Sequence, residues 1–328
     1  MTFAPWLQPD DLPVRAGSAG DVLRRALDAG ALDLPLPGAG RTLARWEALA
    51  ELSAADLTLG RLAEAHADAV AILTELDGPP PTGLWGVWAA EPPAAPVRAR
   101  QQGRWTLTGR KAWCSGAEVL DHALVTACAD DGRRLFAVDL REVRPVVGSW
   151  AAVGMAASGS VSVDLVSTPA APVGGPGDYL DRPGFWHGGA GVAACWYGGA
   201  LGAARTLLAA ARARSLDPHQ LAQLGAVDAI ITGLAAHLSV AASQIDAGAL
   251  VPPTAGADRL RAQRLRARIE AGATEVLDRV GRALGAAPLC LDRVAAQRAA
   301  DLPVYLRQSH AERDLAGLGE LAAGHATW

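Results

Sequence analysis

Residues 103–117, GRWTLTGRKAWCSGA, decide how the middle of this chain is read. Two short runs of β character flank Thr108-Gly109-Arg110, and a glycine between such runs is turn chemistry, so the stretch reads as a hairpin. Its second run carries Lys111, the only lysine among 30 basic residues, and then Trp113, Cys114 and Ser115. A lysine, a large aromatic and a small hydroxyl gathered on one hairpin make a candidate binding edge.

The same texture extends on both sides. From 84 to about 173 the runs LWGVWAA, VRARQQ, RWTLT, KAWCS, HALVTAC, RLFAVDL, VRPVVG and SVSVDLVS are short, and Gly, Pro or Asp turns separate them. Short strands without intervening helices predict an antiparallel sandwich or barrel. Residues 18–76 are helical in character instead. Ser18 is placed to cap a first helix with Asp21 three residues on, and Gly30 is its stop. DGPPPTG at 77–83 breaks that pattern, and APVGGPGDYLDRPG at 171–184 makes a second break. Beyond it four amphipathic stretches, 186–214, 218–247, 257–284 and 288–322, are parted by Asp217-Pro218, Val251-Pro252-Pro253 and Gly285-Ala286-Ala287-Pro288. Long helices with short connections read as a four-helix bundle. The expected fold is α+β and multidomain: an N-terminal helical domain at 1–83, a middle antiparallel β-barrel or sandwich at 84–175, and a C-terminal four-helix bundle at 185–328.

Bulk composition narrows the function. Half of the 328 residues are apolar, 20% are charged and the net charge is −4, which fits a packed protein and argues against a nucleic-acid binder. The four cysteines lie far apart with no C-x-x-C pair, so neither a disulfide framework nor a zinc site is expected. The N-terminus shows no export signal. The longest uncharged run, 188–204, is glycine-rich and reads as a buried helix rather than a membrane span. A soluble, cytoplasmic protein is expected.

Sharper motifs give way to plainer readings. GAGVAA at 189–194 partly matches a dinucleotide fingerprint, but no strand precedes it and the next acid is Asp217, so its glycines read as helix-packing positions. Glu-x-x-His occurs nowhere, which removes a di-iron bundle, and no metal is expected. There is no G-x-S-x-G elbow for a hydrolase. His237, inside an apolar helix, reads as a packed residue.

With the order helices, β domain, helix bundle in place, the sequence resembles the acyl-CoA dehydrogenase family. The family's G-K-x-(W/F)-(I/C)-(T/S) run corresponds to Lys111-Ala112-Trp113-Cys114-Ser115, and its Thr-Glu-Pro strand end to Ala90-Glu91-Pro92. VGMAASGSVSVDLVSTPAAPV at 153–173 resembles the run that closes the family's β domain, and residues 293–320 resemble its last helix. The resemblance implies FAD, with Ala89 and Ala90 at a strand end beside it. Trp113 would cover one flavin face, and Ser115, two residues along on the same side of the strand, would reach the flavin edge by hydroxyl or amide. Lys111 is expected at the surface or in the hairpin rather than in catalysis.

The resemblance also implies a homodimer or homotetramer, with Arg212, Arg214 and Arg282 of a neighbouring subunit meeting the FAD pyrophosphate. The family's activity is α,β-dehydrogenation of an acyl thioester, with acyl-CoA as the small-molecule substrate and an electron-transfer flavoprotein or another acceptor taking the electrons. The base such chemistry needs is not evident. At one family position stands His187 without an acid; at the other, HAERDLAGLGE offers His310, Glu312, Asp314 and Glu320. Glu320, beside Gly319, is the nearest match. Two alternatives keep the fold: a flavin-dependent monooxygenase or hydroxylase, and a flavin-free member without catalysis.

Overall fold

The computed structural model describes residues 5–15, 17–91, 96–248 and 256–325. Among the described residues, ten α-helices and seven strands follow one another: α1 (Ala19–Asp28), α2 (Thr42–Ala55), α3 (Leu57–Glu75), β1 (Trp85–Trp88), β2 (Arg98–Gln102), β3 (Arg104–Cys114), β4 (His122–Ala129), β5 (Gly132–Asp139), β6 (Arg144–Val146), β7 (Val161–Val173), α4 (Asp178–Asp181), α5 (Gly184–Ala213), α6 (Pro218–Gly248), α7 (Ala257–Leu284), α8 (Ala287–Leu291), α9 (Arg293–Leu306) and α10 (Glu312–His325). By contacts they form two compact units. One takes Met1–Asp33, Leu62–Ala152 and Ala156–Phe185; the other takes Leu34–Arg61, Val153–Met155 and Trp186–Trp328.

In the first unit the strands close on themselves. The order β4-β2-β3-β7-β5 returns to β4, while β1 lies beside β4 and β6 beside β7. Five strand pairs are antiparallel, as alternation predicts, but β1 and β2 run parallel to β4. Two intervening strands reverse the chain twice before β4, so it returns in the direction of β1. Buried side chains of α3 (Ala69, Ile72, Leu73) meet Trp85, Leu124, Leu135 and Val173 of the strands. Burying each such large apolar side chain favours the folded state by about 1.5–3 kcal/mol.

The opening stretch is not a hairpin. RWTLT and KAWC are one strand, β3, paired with β2 on one side and β7 on the other. Gly109 does adopt a positive φ, +138°, but it makes a bulge in place of a turn: a Cβ there would stand 3.2 Å from Val97 Cα. A second irregularity falls between Lys111 and Cys114, where Trp113 has φ +57°. The N-terminal cap also differs from expectation. Ser18 sits in the helical region and its hydroxyl is exchanged with the backbone of Arg15, at 3.0 and 3.1 Å, rather than with the first turn of α1. Gly30, at φ +69°, ends that helix as its sequence indicates.

In the second unit α5, α6 and α7 appear at the expected places, whereas the fourth stretch is three helices. Asp292 interrupts it by accepting from Val294 N and Ala295 N at 2.9 and 3.0 Å, an N-cap that starts α9 afresh. Ala311, at φ +48°, separates α9 from α10. The Val251-Pro252-Pro253 break lies outside the described residues. Close helix packing falls later in α5 than GAGVAA predicts. A Cβ on Gly189 would meet nothing within 4 Å, and one on Gly191 only Trp46 Nε1 at 3.9 Å. On Gly198 it would lie 2.2 Å from Ala50 O, and on Gly202 2.7 Å from Ala54 O, both backbone atoms of α2. Among the described residues α6 is the one helix whose length and apolar composition would suffice to cross a membrane; within this unit it packs against α7 and α2.

Candidate functional site

The end of β1 is held by a polar network that runs from exposed Glu91 inward to buried Thr126 and Lys111. Glu91 pairs with Arg133 Nη2 at 2.7 Å and accepts from Thr126 Oγ1 at 3.0 Å. Thr126 in turn accepts from Lys111 Nζ, through Oγ1 at 2.8 Å and its carbonyl at 3.0 Å. Lys111 therefore points into the barrel and is only 3% exposed, which overturns its expected surface place. Lys111 follows buried Leu107 by four residues, so it shares its face of β3, and β4 supplies the acceptors its ammonium requires. Burial pushes Lys111 down to about 8, and Glu91, 4.0 Å away, pulls it partly back up. Arg133 also donates to Ala89 O at 3.4 Å, so the strand end that carries Ala89 and the exposed Ala90 is tied to this network. Pro92 lies outside the described residues.

The buried lysine has a measurable consequence. A folded-state value below the ordinary 10.5 means its stabilising contribution is full above that pH and is lost as pH falls through about 8. The stability difference between wild type and Lys111→Met should thus be larger at pH 10 than at pH 7, by on the order of 2 kcal/mol. Urea unfolding of both proteins at the two pH values measures it, and equal differences would refute it.

Beyond Lys111 the strand presents two unlike groups. Left-handed geometry at Trp113 breaks the alternation, so Trp113 is 57% exposed while Ser115 is 7% exposed, and they do not share a side as a regular strand would require. The Ser115 amide bonds to Trp113 O at 3.1 Å, which leaves the hydroxyl as the group that can face a ligand. That hydroxyl is 2.8 Å from Ser160 Oγ, which is 2.9 Å from Ser158 Oγ. Trp88 Nε1 donates to Ser115 O at 3.1 Å, and Gly116 N donates to Ser158 O at 2.8 Å. The result is a rigid edge with an open indole and one shielded hydroxyl. Such a donor set suits a flat heteroaromatic group with an apolar face and a polar rim.

In the other unit the three arginines gather at one end of the helices. Arg214 Nη1 reaches Gln220 Oε1 at 3.3 Å, and Gln220 Nε2 donates to Ala283 O at 2.8 Å, next to Arg282. Arg212 and Arg214 are exposed, and Arg282 pairs with Asp278 at 2.9 Å. Glu320 is not with them. It is exposed on α10, a helix that meets α7 near Arg259 and Gln263. From Gln263 to Arg282, α7 advances about 28 Å at 1.5 Å a residue.

Two imidazoles of this unit face carboxylates. His187 Nε2 is 3.7 Å from Asp258, which Arg261 also holds. His310 Nδ1 is 3.3 Å from Asp314 Oδ1, and the other oxygen of that carboxylate accepts from His310 N at 3.0 Å. Asp314 thus holds the backbone of His310 by a hydrogen bond and lies beside its exposed ring. His237 is half-buried, and burial lowers its pKa, in keeping with a packed residue.

No family model and no curated protein matches the sequence. Solved structures do resemble the chain. TdsC, a dibenzothiophene monooxygenase from Paenibacillus sp. A11-2 determined with FMN and indole, has a TM-score of 0.79 at 20% identity, over 95% of this chain and 92% of that one. The fold is acyl-CoA dehydrogenase-like. Methanesulfinate monooxygenase MsuC from Pseudomonas fluorescens follows at TM-score 0.78 and 16% identity, over 93% of this chain and 90% of that one. XiaF from Streptomyces sp., in complex with FADH2 and glycerol, gives 0.73 at 20% identity, over 93% and 87%. The resemblance read from the sequence therefore holds for the fold and does not extend to an acyl-CoA dehydrogenase.

Proposed function

We propose that the protein is a flavin-dependent monooxygenase. It would combine reduced flavin, dioxygen and a small heteroaromatic or sulfur-containing substrate, giving oxygenated substrate, oxidised flavin and water. The observation that carries this reading is the His310–Asp314 pair. Where a dehydrogenase of this fold would need a shielded carboxylate, Asp314 is engaged by His310, and Glu312 and Glu320 are exposed. An oriented imidazole can hand over or take up a proton but is a poor substitute for that carboxylate in dehydrogenating a thioester. Similarity in fold to two monooxygenases supports the same choice.

On this reading Trp113 offers its indole to the flavin ring, the Ser115 hydroxyl meets the ring's polar edge, and the Glu91 network steadies Ala89 and Ala90 beside it. Bound flavin supplies the electrons that activate dioxygen. No electron-transfer flavoprotein is needed; the partner is a reductase that delivers reduced flavin. The test mixes protein, reduced FAD or FMN, indole and isotopically labelled dioxygen, and looks for the label in product by mass spectrometry. Bleaching of bound flavin by an acyl-CoA under anaerobic conditions, with no labelled product in air, would overturn the proposal.

FAD is the proposed form, because Arg212, Arg214 and Arg282 would suit its pyrophosphate in a homodimer or homotetramer. Arg282→Ala should weaken FAD about fivefold to tenfold, the worth of one charge-assisted hydrogen bond near the surface, and leave FMN affinity unchanged. Fluorescence titration with the two flavins decides it; equal losses for both would refute the assignment.

A further inference from the structure

We infer that Lys111 is a positioning residue for the cofactor: through Thr126 it grips Glu91, and so holds Ala89 and Ala90 in the shape that receives flavin. The inference rests on the flavin reading above. The β1–β4 ladder ends at Trp88 and Val125, so Ala89, Ala90 and Glu91 run on past it. On β4 the next residue is Thr126, whose hydroxyl donates to Glu91 Oε1 at 3.0 Å. Lys111 Nζ donates to that same hydroxyl at 2.8 Å and stands 4.0 Å from the Glu91 oxygen. An ammonium can only donate, so the Thr126 oxygen accepts from Lys111 and its proton is turned toward the carboxylate. Glu91 directly follows Ala90, so a grip on its side chain is a grip on the strand end.

Stability alone gives no reason for a charge at this place. Burying it costs desolvation that its partners seldom more than repay, and an apolar residue of like size would avoid the cost. Arginine is the ordinary cation of this chain, yet its one lysine stands here. Lysine differs in that it can shed its charge when buried, and burial pushes Lys111 down to about 8. Once neutral it no longer polarises the Thr126 hydroxyl or attracts Glu91, and the grip on the strand end weakens. Besides Glu91, Lys111 is faced by Cys114 on β3, Arg133 on β5 and Cys128 on β4. Burial pushes the Cys114 thiol up to about 12, so it stays neutral while Lys111 titrates.

Flavin should prefer the form in which the strand end is held, which is the form with Lys111 charged. Linkage then fixes the sign: affinity is full below about pH 8 and is lost as pH rises through it. The coupling is reciprocal, so flavin binding near that pH should draw part of a proton onto the protein.

The test is FAD titration by fluorescence at pH 6.5 and pH 9, on either side of about 8. The wild-type Kd should be about threefold to tenfold larger at the higher pH, the worth of one hydrogen bond. Lys111→Met should bind FAD at both pH values as weakly as wild type does at pH 9. Thr126→Val keeps the size but removes the relay, and should flatten the profile in the same way, while Thr126→Ser restores it. Cys128→Ser should keep the wild-type slope. Circular dichroism confirms folding, and if Lys111→Met fails to fold, Thr126→Val decides. A flat wild-type profile, a slope that survives in Lys111→Met or Thr126→Val, or a slope lost in Cys128→Ser overturns this role and leaves the flavin reading standing. Wild-type protein that binds no FAD removes the flavin reading, and the role of Lys111 with it.

Discussion

His310→Gln is expected to lose about a hundredfold in substrate oxygenation, at the lower end of what a positioned acid–base group contributes, while binding flavin as before. The reason lies in its contacts with Asp314. One carboxylate oxygen stands 3.3 Å from Nδ1 and the other accepts the backbone N–H at 3.0 Å, so a carboxylate lies beside the ring. If the proposed function holds, Nε2 would be the ring atom left free to exchange a proton. Glutamine keeps the size and a donor but cannot shuttle a proton. Asp314→Asn should cost less, on the order of tenfold, because it weakens a partner of the imidazole without removing the imidazole itself. That variant should also melt earlier, since its backbone bond is weakened. Labelled product per flavin oxidised gives the answer. Wild-type turnover in His310→Gln would dismiss the histidine from the chemistry.

Gly198→Ala should destabilise the helical unit by about 3 kcal/mol or more, whereas Gly189→Ala, nine residues earlier on the same helix, should stabilise it by about 0.5–1 kcal/mol. The two substitutions are chemically identical, and both gain the better helix propensity of alanine. They differ in what the new methyl meets. At Gly198 it would stand 2.2 Å from Ala50 O and 2.7 Å from Ser53 Cβ of α2, so two backbones must separate. At Gly189 nothing lies within 4 Å. Urea unfolding monitored by circular dichroism compares them, and a like sign for both would mean that the α2–α5 approach does not limit stability.

Those two glycines also show where sequence reading stops. The composition of α5 says that some glycine permits close packing, but which one depends on where α2 crosses, and α2 lies more than a hundred residues earlier. GAGVAA draws attention by its pattern; Gly198 and Gly202 matter by position. The opening stretch fails for a related reason. Gly109 does require a positive φ, yet a turn and a bulge ask the same of glycine, and only the pairing of β3 with both β2 and β7 tells them apart. Helix and strand zones were legible because periodicity and Gly/Pro breaks are local properties. The serine chain was not, since it joins residues forty-five apart through strand register. Lys111 carried a usable signal that was read in the wrong direction. A lone lysine in an arginine-rich chain marks a place where a slim, deprotonatable ammonium fits and a broad guanidinium does not.

The ring of strands bears on how the protein would fare without a bound ligand. An open sheet offers unpaired N–H and C=O groups to other chains, which is how partly assembled proteins clump. Here five strands nearly close the ring, β2 meeting β4 through Arg98 and Cys128, and the two outliers are short: β1 has four residues, and β6 has three, one of them Pro145, which has no N–H to offer. On the proposed function, a flavin that comes and goes would leave the protein empty between turnovers. A nearly closed ring gives the protein few strand edges on which another chain could pair, whether or not a ligand is bound.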